Sequence, residues 1–314
     1  MVGMACVLVT EKIAEAGLAI LRQAGHQVEV QLDLDEPGLL AALAGAQALI
    51  VRSATQVTPQ MLAAGQDLVV VGRAGVGLDN VDVEAASNQG VLVANAPYAN
   101  SVSAAEHTMA LLLAVARNVP QAHRDLVDGK WNRAQWTGVE LSGKTLGVIG
   151  LGRIGRLVAD RAKAFGMHVV AHDPYLEAIP PWVTLVPLQE LVGQADFLTL
   201  HLARTPETVG LVNAELLSYA KPNLRVVNVA RGGVIDEDDL AAALVSGQIA
   251  GAALDVFATE PTTESPLFGL PGVVVTPHLG ASTAEAQDKA GTDIAEQVVL
   301  ALAGQPVPFA VNQK

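Results

Sequence analysis

Three glycines stand in a G-x-G-x-x-G pattern in Gly147-Val148-Ile149-Gly150-Leu151-Gly152-Arg153-Ile154-Gly155, between an apolar run and a helical one. Such a turn suits phosphate chemistry. Gly150 permits the tight bend, Gly152 lets the backbone approach a pyrophosphate, and Gly155 lets the helix pack on the strand while its N-terminus faces the phosphate charge. Asp173 closes the next apolar run 18 residues beyond Gly155. Its carboxylate can accept both adenosine ribose hydroxyls and would repel a 2′-phosphate, and Pro174, Tyr175, Leu176 and Glu177 offer no compensating cation. NAD is expected rather than NADP.

Three polar residues each follow a later apolar run: Arg231 after Arg225–Val229, Glu260 after Ala252–Val256, and His278 after Val273–Thr276. In a parallel sheet these loops open at the carboxyl edge, where the nucleotide crevice also opens. A hydroxyl being oxidised loses a hydride to NAD and a proton to a base, and histidine has the pKa matched to that task. Glu260 would orient the imidazole and stabilise its charged form, while Arg231 would grip a carboxylate and polarise the neighbouring carbonyl. Singly, each has a plainer reading as a salt-bridged arginine, a solvated glutamate or a helix-end histidine. Their recurrence on three loops of one edge favours the catalytic reading.

Gly72-Arg73-Ala74-Gly75-Val76-Gly77-Leu78-Asp79-Asn80 also follows an apolar run, but Asn80 holds the place of a third glycine and no acidic residue closes a following strand at the expected distance. Its amides beside Arg73 suit a small carboxylate or phosphate instead. Arg52 and Arg73 would end strands of the first lobe and face the cleft, or simply be surface arginines. His201 is expected to be a core hydrogen-bonding residue, and His26, His107, His123, His168 and His172 lack metal-ligand spacing, so no metal site is expected.

The chain that must position these groups has 314 residues, enough for about two domains. Short runs Ala5–Val9, Val28–Leu32, Ala48–Val51, Leu68–Val71 and Val91–Ala94 alternate with helical stretches, and a second series runs from Thr145–Ile149 through His168–His172, Phe197–Leu200 and the three named above. This rhythm predicts two α/β domains with parallel sheets. Ser101–Val127, opening on the capping-box pattern Ser103-Ala104-Ala105-Glu106, is expected to form one long buried helix bridging them. Ser282–Ala303 is a further helical pattern that would return to the first lobe.

A net charge of −13 argues against nucleic acid as a partner, and the longest strong apolar run, Met109–Ala116, is too short to span a bilayer. The start Met1-Val2-Gly3-Met4 lacks a basic targeting region. Cys6 is the single cysteine, which excludes an intrachain disulfide and suits a reducing cytoplasm.

Val51-Arg52-Ser53-Ala54-Thr55, the Gly72–Asn80 segment, Asn95-Ala96-Pro97, Ser103–Glu106, Gly150–Gly155, Asn228-Val229-Ala230-Arg231-Gly232-Gly233, Ala253-Leu254-Asp255-Val256-Phe257 and Pro277-His278-Leu279-Gly280-Ala281 together resemble the NAD-dependent D-2-hydroxyacid dehydrogenases. The likeness is strongest to the branch acting on a phosphorylated three-carbon hydroxy acid or oxo acid in serine biosynthesis. It implies a flavodoxin-like substrate domain, 1–97 with 283–314, a Rossmann cofactor domain, 98–282, and a cleft between the two doubly wound sheets. It assigns catalysis to Arg231, Glu260 and His278. Cofactor contacts carry onto Val76, Arg153, Ile154, Asp173, Ala230, Arg231, Asp255, His278 and Gly280, beside the glycine turn. Substrate contacts carry onto Arg52, Ser53, Arg73, Gly75, Val76, Asn100, Arg231 and His278. The resemblance also implies a homodimer through the long helix and adjoining segment of the cofactor domain, with Arg133 reaching the partner's active site.

Two departures matter. His201-Leu202-Ala203 stands where the family usually has His-Thr-Pro or His-x-Pro, so a side-chain contact to the cofactor from position 202 is not expected. Nor, with the chain ending at Lys314, is feedback by serine, which acts through appended regulatory domains in many relatives. Glyoxylate or hydroxypyruvate reductase is the alternative within the family, and an NAD-sensing corepressor-like binding protein the alternative outside catalysis. Formate dehydrogenase fits less well, because such relatives carry a Gln–His pair where this chain has Glu260. Tyr-x-x-x-Lys chemistry fails, since Val102, Ile179 and Asn223 lie four residues after Tyr98, Tyr175 and Tyr219.

Overall fold

Runs of Val, Leu and Ile that are apolar at every position, rather than at alternate ones, can only be strands if both faces of the sheet are covered. The computed structural model shows that arrangement twice. It describes residues 3–176 and 178–313, so Met1, Val2, Glu177 and Lys314 lie outside the described residues. The chain divides into two compact units, Met1–Asn100 with Ala281–Lys314, and Ser101–Gly280.

In the first unit, β1 (Cys6–Val9), β2 (Gln27–Val30), β3 (Ala48–Val51), β4 (Val70–Arg73) and β5 (Leu92–Ala94) form a parallel sheet of order β2-β1-β3-β4-β5. Helix α1 (Glu15–Gln23) and the returning α11 (Ala284–Leu302) share one apolar core, where Ile294 and Val298 lie among Val7, Val9, Ile50 and Val70. Helices α2 (Glu36–Ala42), α3 (Pro59–Ala64) and α4 (Val83–Asn88) belong with the opposite face, their N-termini capped by Asp35, Thr58 and Asp82. Strand β4 starts two residues later than the apolar run Leu68–Val71, because the Leu68 amide is spent on a turn to the Gly65 carbonyl.

The second unit begins with α5 (Ser101–Arg117) and α6 (Val119–Val127). It continues through β6 (Thr145–Ile149), α7 (Arg153–Ala164), β7 (His168–His172), β8 (Val183–Leu185), α8 (Leu188–Gln194), β9 (Phe197–Leu200), α9 (Ala214–Leu217), β10 (Arg225–Asn228), α10 (Glu237–Val245), β11 (Gly251–Leu254) and β12 (Val273–Val275). Its parallel sheet runs β12-β11-β10-β9-β6-β7-β8, so the order reverses between β6 and β9. Strand β8 was not expected; three residues at a sheet edge, just after Pro180-Pro181, carry too short an apolar pattern to read.

The single helix expected over Ser101–Val127 is instead broken. Asn118 adopts a left-handed backbone (φ 53°) between α5 and α6. Pro120 has no N–H to return to the Ala116 carbonyl and its ring would collide with it. That carbonyl accepts from the Val139 amide (2.9 Å) instead. Helix α5 is well buried, but α6 buries no residue at all. Nor is Ser103 an N-cap, because the turn over residues 97–100 runs straight into a helix that starts at Ser101.

Candidate active site

At the carboxyl end of β6 the glycine turn has the geometry a phosphate needs. Gly150 sits at φ +87°, which L side chains rarely adopt, and donates its amide to the His172 carbonyl (2.9 Å). A Cβ on Gly155 would collide with the Gly150 carbonyl, so only glycine lets α7 start this close to β6. Gly152, the N-cap of α7, is the reverse: beyond its own chain neighbours, no described atom lies within 4 Å of where its Cβ would stand. The turn therefore leaves open space in front of a 12-residue helix whose N-terminal amides and dipole favour negative charge. Asp173, the residue just after β7, accepts the Leu151 amide on Oδ2 (2.9 Å) and the Tyr175 amide on Oδ1 (3.0 Å), tying itself to the turn. Arg153 lies exposed and Ile154 half-buried at the start of α7. These groups fit a dinucleotide.

The residues expected to do chemistry follow neighbouring strands of the same sheet: Arg231 after β10, Glu260 after β11 and His278 after β12. Gly232 packs so closely under the Phe257 carbonyl that a Cβ would overlap it, which seats the Arg231 loop on the Glu260 loop. Asn228 shapes the Arg231 loop, its Oδ1 accepting the Ala230 amide and its Nδ2 donating to the Arg231 carbonyl (both 3.0 Å). One Arg231 guanidinium nitrogen donates to the Ala230 carbonyl (2.8 Å).

His278 and Glu260 meet: the imidazole Nδ1 lies 2.6 Å from Glu260 Oε2, while Oε1 accepts the Phe257 amide (2.8 Å). The bond to Glu260 raises the His278 pKa above its ordinary value, against the opposing pull of burial and with help from the Glu260 and Asp255 charges; the Arg231 charge works the other way. Burial would raise the Glu260 pKa, but the hydrogen bonds from His278 and the Phe257 amide outweigh it and hold the carboxyl below its usual range. With Nδ1 committed and the His278 side chain half exposed, Nε2 is left to meet a substrate oxygen.

Asp255 is fully buried, and its role was not visible from spacing. Its carboxylate accepts the Thr276 hydroxyl (2.5 Å) and the Leu279 and Gly280 amides (both 2.7 Å), and lies 3.2 Å from His107 Nε2. Its carbonyl accepts the His278 amide (2.8 Å). These bonds hold His278 in a left-handed conformation (φ 55°), a state of the kind that costs on the order of 1–3 kcal/mol and persists only where surroundings impose it. His107 comes from α5, far away in sequence, so no local pattern links it to this loop. His201 is partly buried, its Nε2 3.1 Å from the Thr199 hydroxyl, and burial of the ring pushes its pKa down to about 3, as suits a neutral hydrogen-bonding histidine. Leu202 packs with the apolar core beneath the sheet.

In the first unit, Arg73 ends β4 in register with Val51, and Arg52 follows Val51 on the adjacent strand, so both arginines leave neighbouring carboxyl ends. Both are partly buried, whereas Ser53 is exposed. The loop of Gly75 and Val76 is fixed from Asn95–Ala96: the Ala96 amide donates to the Gly75 carbonyl (2.9 Å) and Asn95 Nδ2 to the Val76 carbonyl (2.7 Å). Asn100 Oδ1 is buried and accepts no hydrogen bond from any described residue. Arg133, in a short 3-10 turn after α6, is exposed. Among the described residues no group of three potential ligands is placed to hold a metal, and no helix is long and apolar enough to cross a membrane.

The glycine turn and its sheet have the form of a dinucleotide-binding domain, and residues 109–280 match the family model for the NAD-binding domain of D-isomer-specific 2-hydroxyacid dehydrogenases, so the chain belongs to that family. It is 55% identical to the D-3-phosphoglycerate dehydrogenase of Mycobacterium tuberculosis, over 98% of this chain and 58% of that protein. The chain thus spans rather more than half the length of such curated relatives. Among solved structures, a Thermus thermophilus protein superposes with a TM-score of 0.91 at 37% identity, covering 98% of this chain and 99% of that one. The NAD-dependent formate dehydrogenase of Staphylococcus aureus, in complex with NAD, superposes at 0.85 and 31% identity, covering 96% and 97%. A fold shared with a formate dehydrogenase leaves the substrate to be argued from side chains.

Proposed function

We propose that this protein is an NAD-dependent dehydrogenase interconverting 3-phosphoglycerate and 3-phosphohydroxypyruvate, and that it serves serine biosynthesis in the cytoplasm. The observation that carries the reading is the 2.6 Å His278–Glu260 pair, set on the same sheet edge as the open glycine turn and the Arg231 loop.

Gly150, Gly152 and Gly155 with Arg153 and Ile154 would hold the pyrophosphate and Asp173 the adenosine ribose, with Val76, Ala230, Arg231, Asp255, His278 and Gly280 the remaining assigned positions. Asp255, fully buried, would act through the His278–Gly280 backbone it holds. Bound NAD supplies the hydride acceptor, and in the reverse direction NADH supplies the donor. His278 Nε2 takes the hydroxyl proton in oxidation and returns it to the carbonyl oxygen in reduction. Glu260 keeps the ring oriented and its cation stable. Arg231 and the Gly75–Val76 amides bind the carboxylate end, and Arg231 polarises the reacting carbonyl. Arg52 and Arg73, with Ser53 and Asn100, take the phosphorylated end.

An acidic protein repels a phosphorylated anion at long range, so it must concentrate cations locally, and guanidinium forks suit phosphate oxygens. Exposed Val119, Leu126 and Val127 on α6 support a homodimer formed there, with Arg133 serving the partner's site.

The test is kinetic. Arg52→Ala and Arg73→Ala should each cost about 2–5 kcal/mol with 3-phosphohydroxypyruvate, about thirtyfold or more in kcat/KM, and far less with hydroxypyruvate. Comparable efficiency of the unmodified enzyme on both oxo acids would make it a hydroxypyruvate reductase instead. Absence of any turnover with NADH would favour a sensing role.

A further inference from the structure

The loop that carries Arg52 is organised by a carboxylate that the catalytic reading leaves unused. Glu11 stands two residues beyond the end of β1, and residues 52–55 follow β3. Its Oε1 accepts the Arg52 and Thr55 amides (2.8 and 2.9 Å), and its Oε2 accepts those of Ser53 and Ala54 (3.2 and 3.1 Å). Consecutive amides converging on one point form a backbone nest, an anion site. The same four residues are gripped from their carbonyl side, because Asn80 Nδ2 donates to Arg52 (2.9 Å) and Thr55 (2.6 Å). Burial would raise the Glu11 pKa, but the amides of Thr55, Ala54 and Arg52 together bring it below the ordinary value, so the charged form occupies the nest.

The place is as telling as the contacts. The order β2-β1-β3-β4-β5 reverses between β1 and β3, and the crevice outside such a reversal is where open α/β sheets receive their ligands. Here a side chain of the chain itself occupies the anion-binding position.

Resting on the phosphate reading above, we propose that Glu11 is a positioning residue for substrate recognition: its carboxylate fills the nest of residues 52–55 and so fixes the backbone from which Arg52 reaches the phosphorylated end of the substrate. Glutamine at this position offers one acceptor oxygen and turns an N–H group towards amides that need an acceptor. Alanine leaves a gap the size of acetate. A cavity of about 440 Å³ lined by Thr10, Glu11, Ala54 and Thr55 gives a small ion access, and because Asp33 and Glu36 also line it, the probe should be small and singly charged.

The experiment compares Glu11→Ala, Glu11→Gln and Arg52→Ala in the full chain, with 3-phosphohydroxypyruvate and hydroxypyruvate, in acetate or in acetamide at matched ionic strength. Misplacing a binding group by about an ångström can cost about 100-fold, so KM for the phosphorylated substrate should rise about 10- to 100-fold in both Glu11 variants. Its kcat and the KM for hydroxypyruvate should stay near their original values. Acetate, unlike acetamide, should restore the KM of Glu11→Ala and raise its Tm. If Glu11→Ala does not fold, the Glu11→Gln KM and kcat decide. A selective loss in Arg52→Ala beside unselective losses in the Glu11 variants overturns the positioning role alone. An unselective loss in Arg52→Ala overturns the phosphate reading and the proposal with it.

Discussion

The two units solve the same architectural problem and finish it differently. Each is a parallel sheet whose strand order reverses once, between β1 and β3 in the first unit and between β6 and β9 in the second, and each places amide-rich backbone at that reversal. In the second unit a carboxylate from the neighbouring strand end, Asp173, takes a single amide of the turn, that of Leu151, and the space beside Gly152 stays open. In the first, Glu11 takes four amides and closes the nest. One reversal is kept for a ligand, and the other has been converted into a mount for side chains. Shared topology therefore says where a site can be, while side-chain occupancy decides whether it is one.

The comparison can be broken most severely at the catalytic edge of the second unit. Losing a positioned acid/base costs about 10²–10⁴-fold in rate, so His278→Asn should collapse kcat while NADH affinity, measured by fluorescence titration, barely changes. A variant that keeps most of its turnover removes His278 from the mechanism.

A smaller effect separates the open reversal from the closed one. Gly152→Ala adds a Cβ that comes within 4 Å of no described atom beyond its chain neighbours, and the position has a negative φ (−70°), so Tm should hold. Overfilling a packed site costs about 1–3 kcal/mol, so NADH should bind about 10- to 100-fold more weakly. Glu11→Ala should show the opposite signature, a lower Tm with unchanged NADH affinity. If both variants lose stability and spare NADH, the distinction between the two reversals fails.

The mildest change concerns pH. Glu260 raises the pKa of His278, so Glu260→Gln should lower it. Reduction needs the imidazolium, which would then be lost at lower pH, moving the alkaline limb of the reduction profile down. Oxidation needs the neutral ring, so the acid limb of that profile should move down as well. Profiles of kcat/KM in both directions check the sign; an upward shift contradicts the assigned pairing.

How much of this was legible beforehand depends on the range of the interactions. Continuous apolar runs such as Phe197–Leu200 and Thr145–Ile149 became strands with the expected bounds, since burial on both faces is written locally. The order in which Arg231, Glu260 and His278 follow neighbouring strands comes from the parallel rhythm. The break at Asn118 was signalled by Pro120, yet the apolar periodicity on both sides concealed it. The Asp255 hub and the Glu11 clamp were invisible for another reason: Asp255 with His107, and Glu11 with residues 52–55, meet only once strands are adjacent. Glu11 looks in sequence like any solvated loop acid.

The left-handed backbone at His278 also filters what can replace it. Glycine accepts that conformation freely, asparagine and aspartate tolerate it, and β-branched residues resist it. Random variation at this position therefore yields two kinds of failure. Valine or isoleucine would force the Asp255 hub to give way, whereas asparagine or glycine would leave a folded, cofactor-binding protein without a proton to move. On the proposed mechanism such survivors are catalytically silent cofactor-binding proteins, a single substitution away from the present chain.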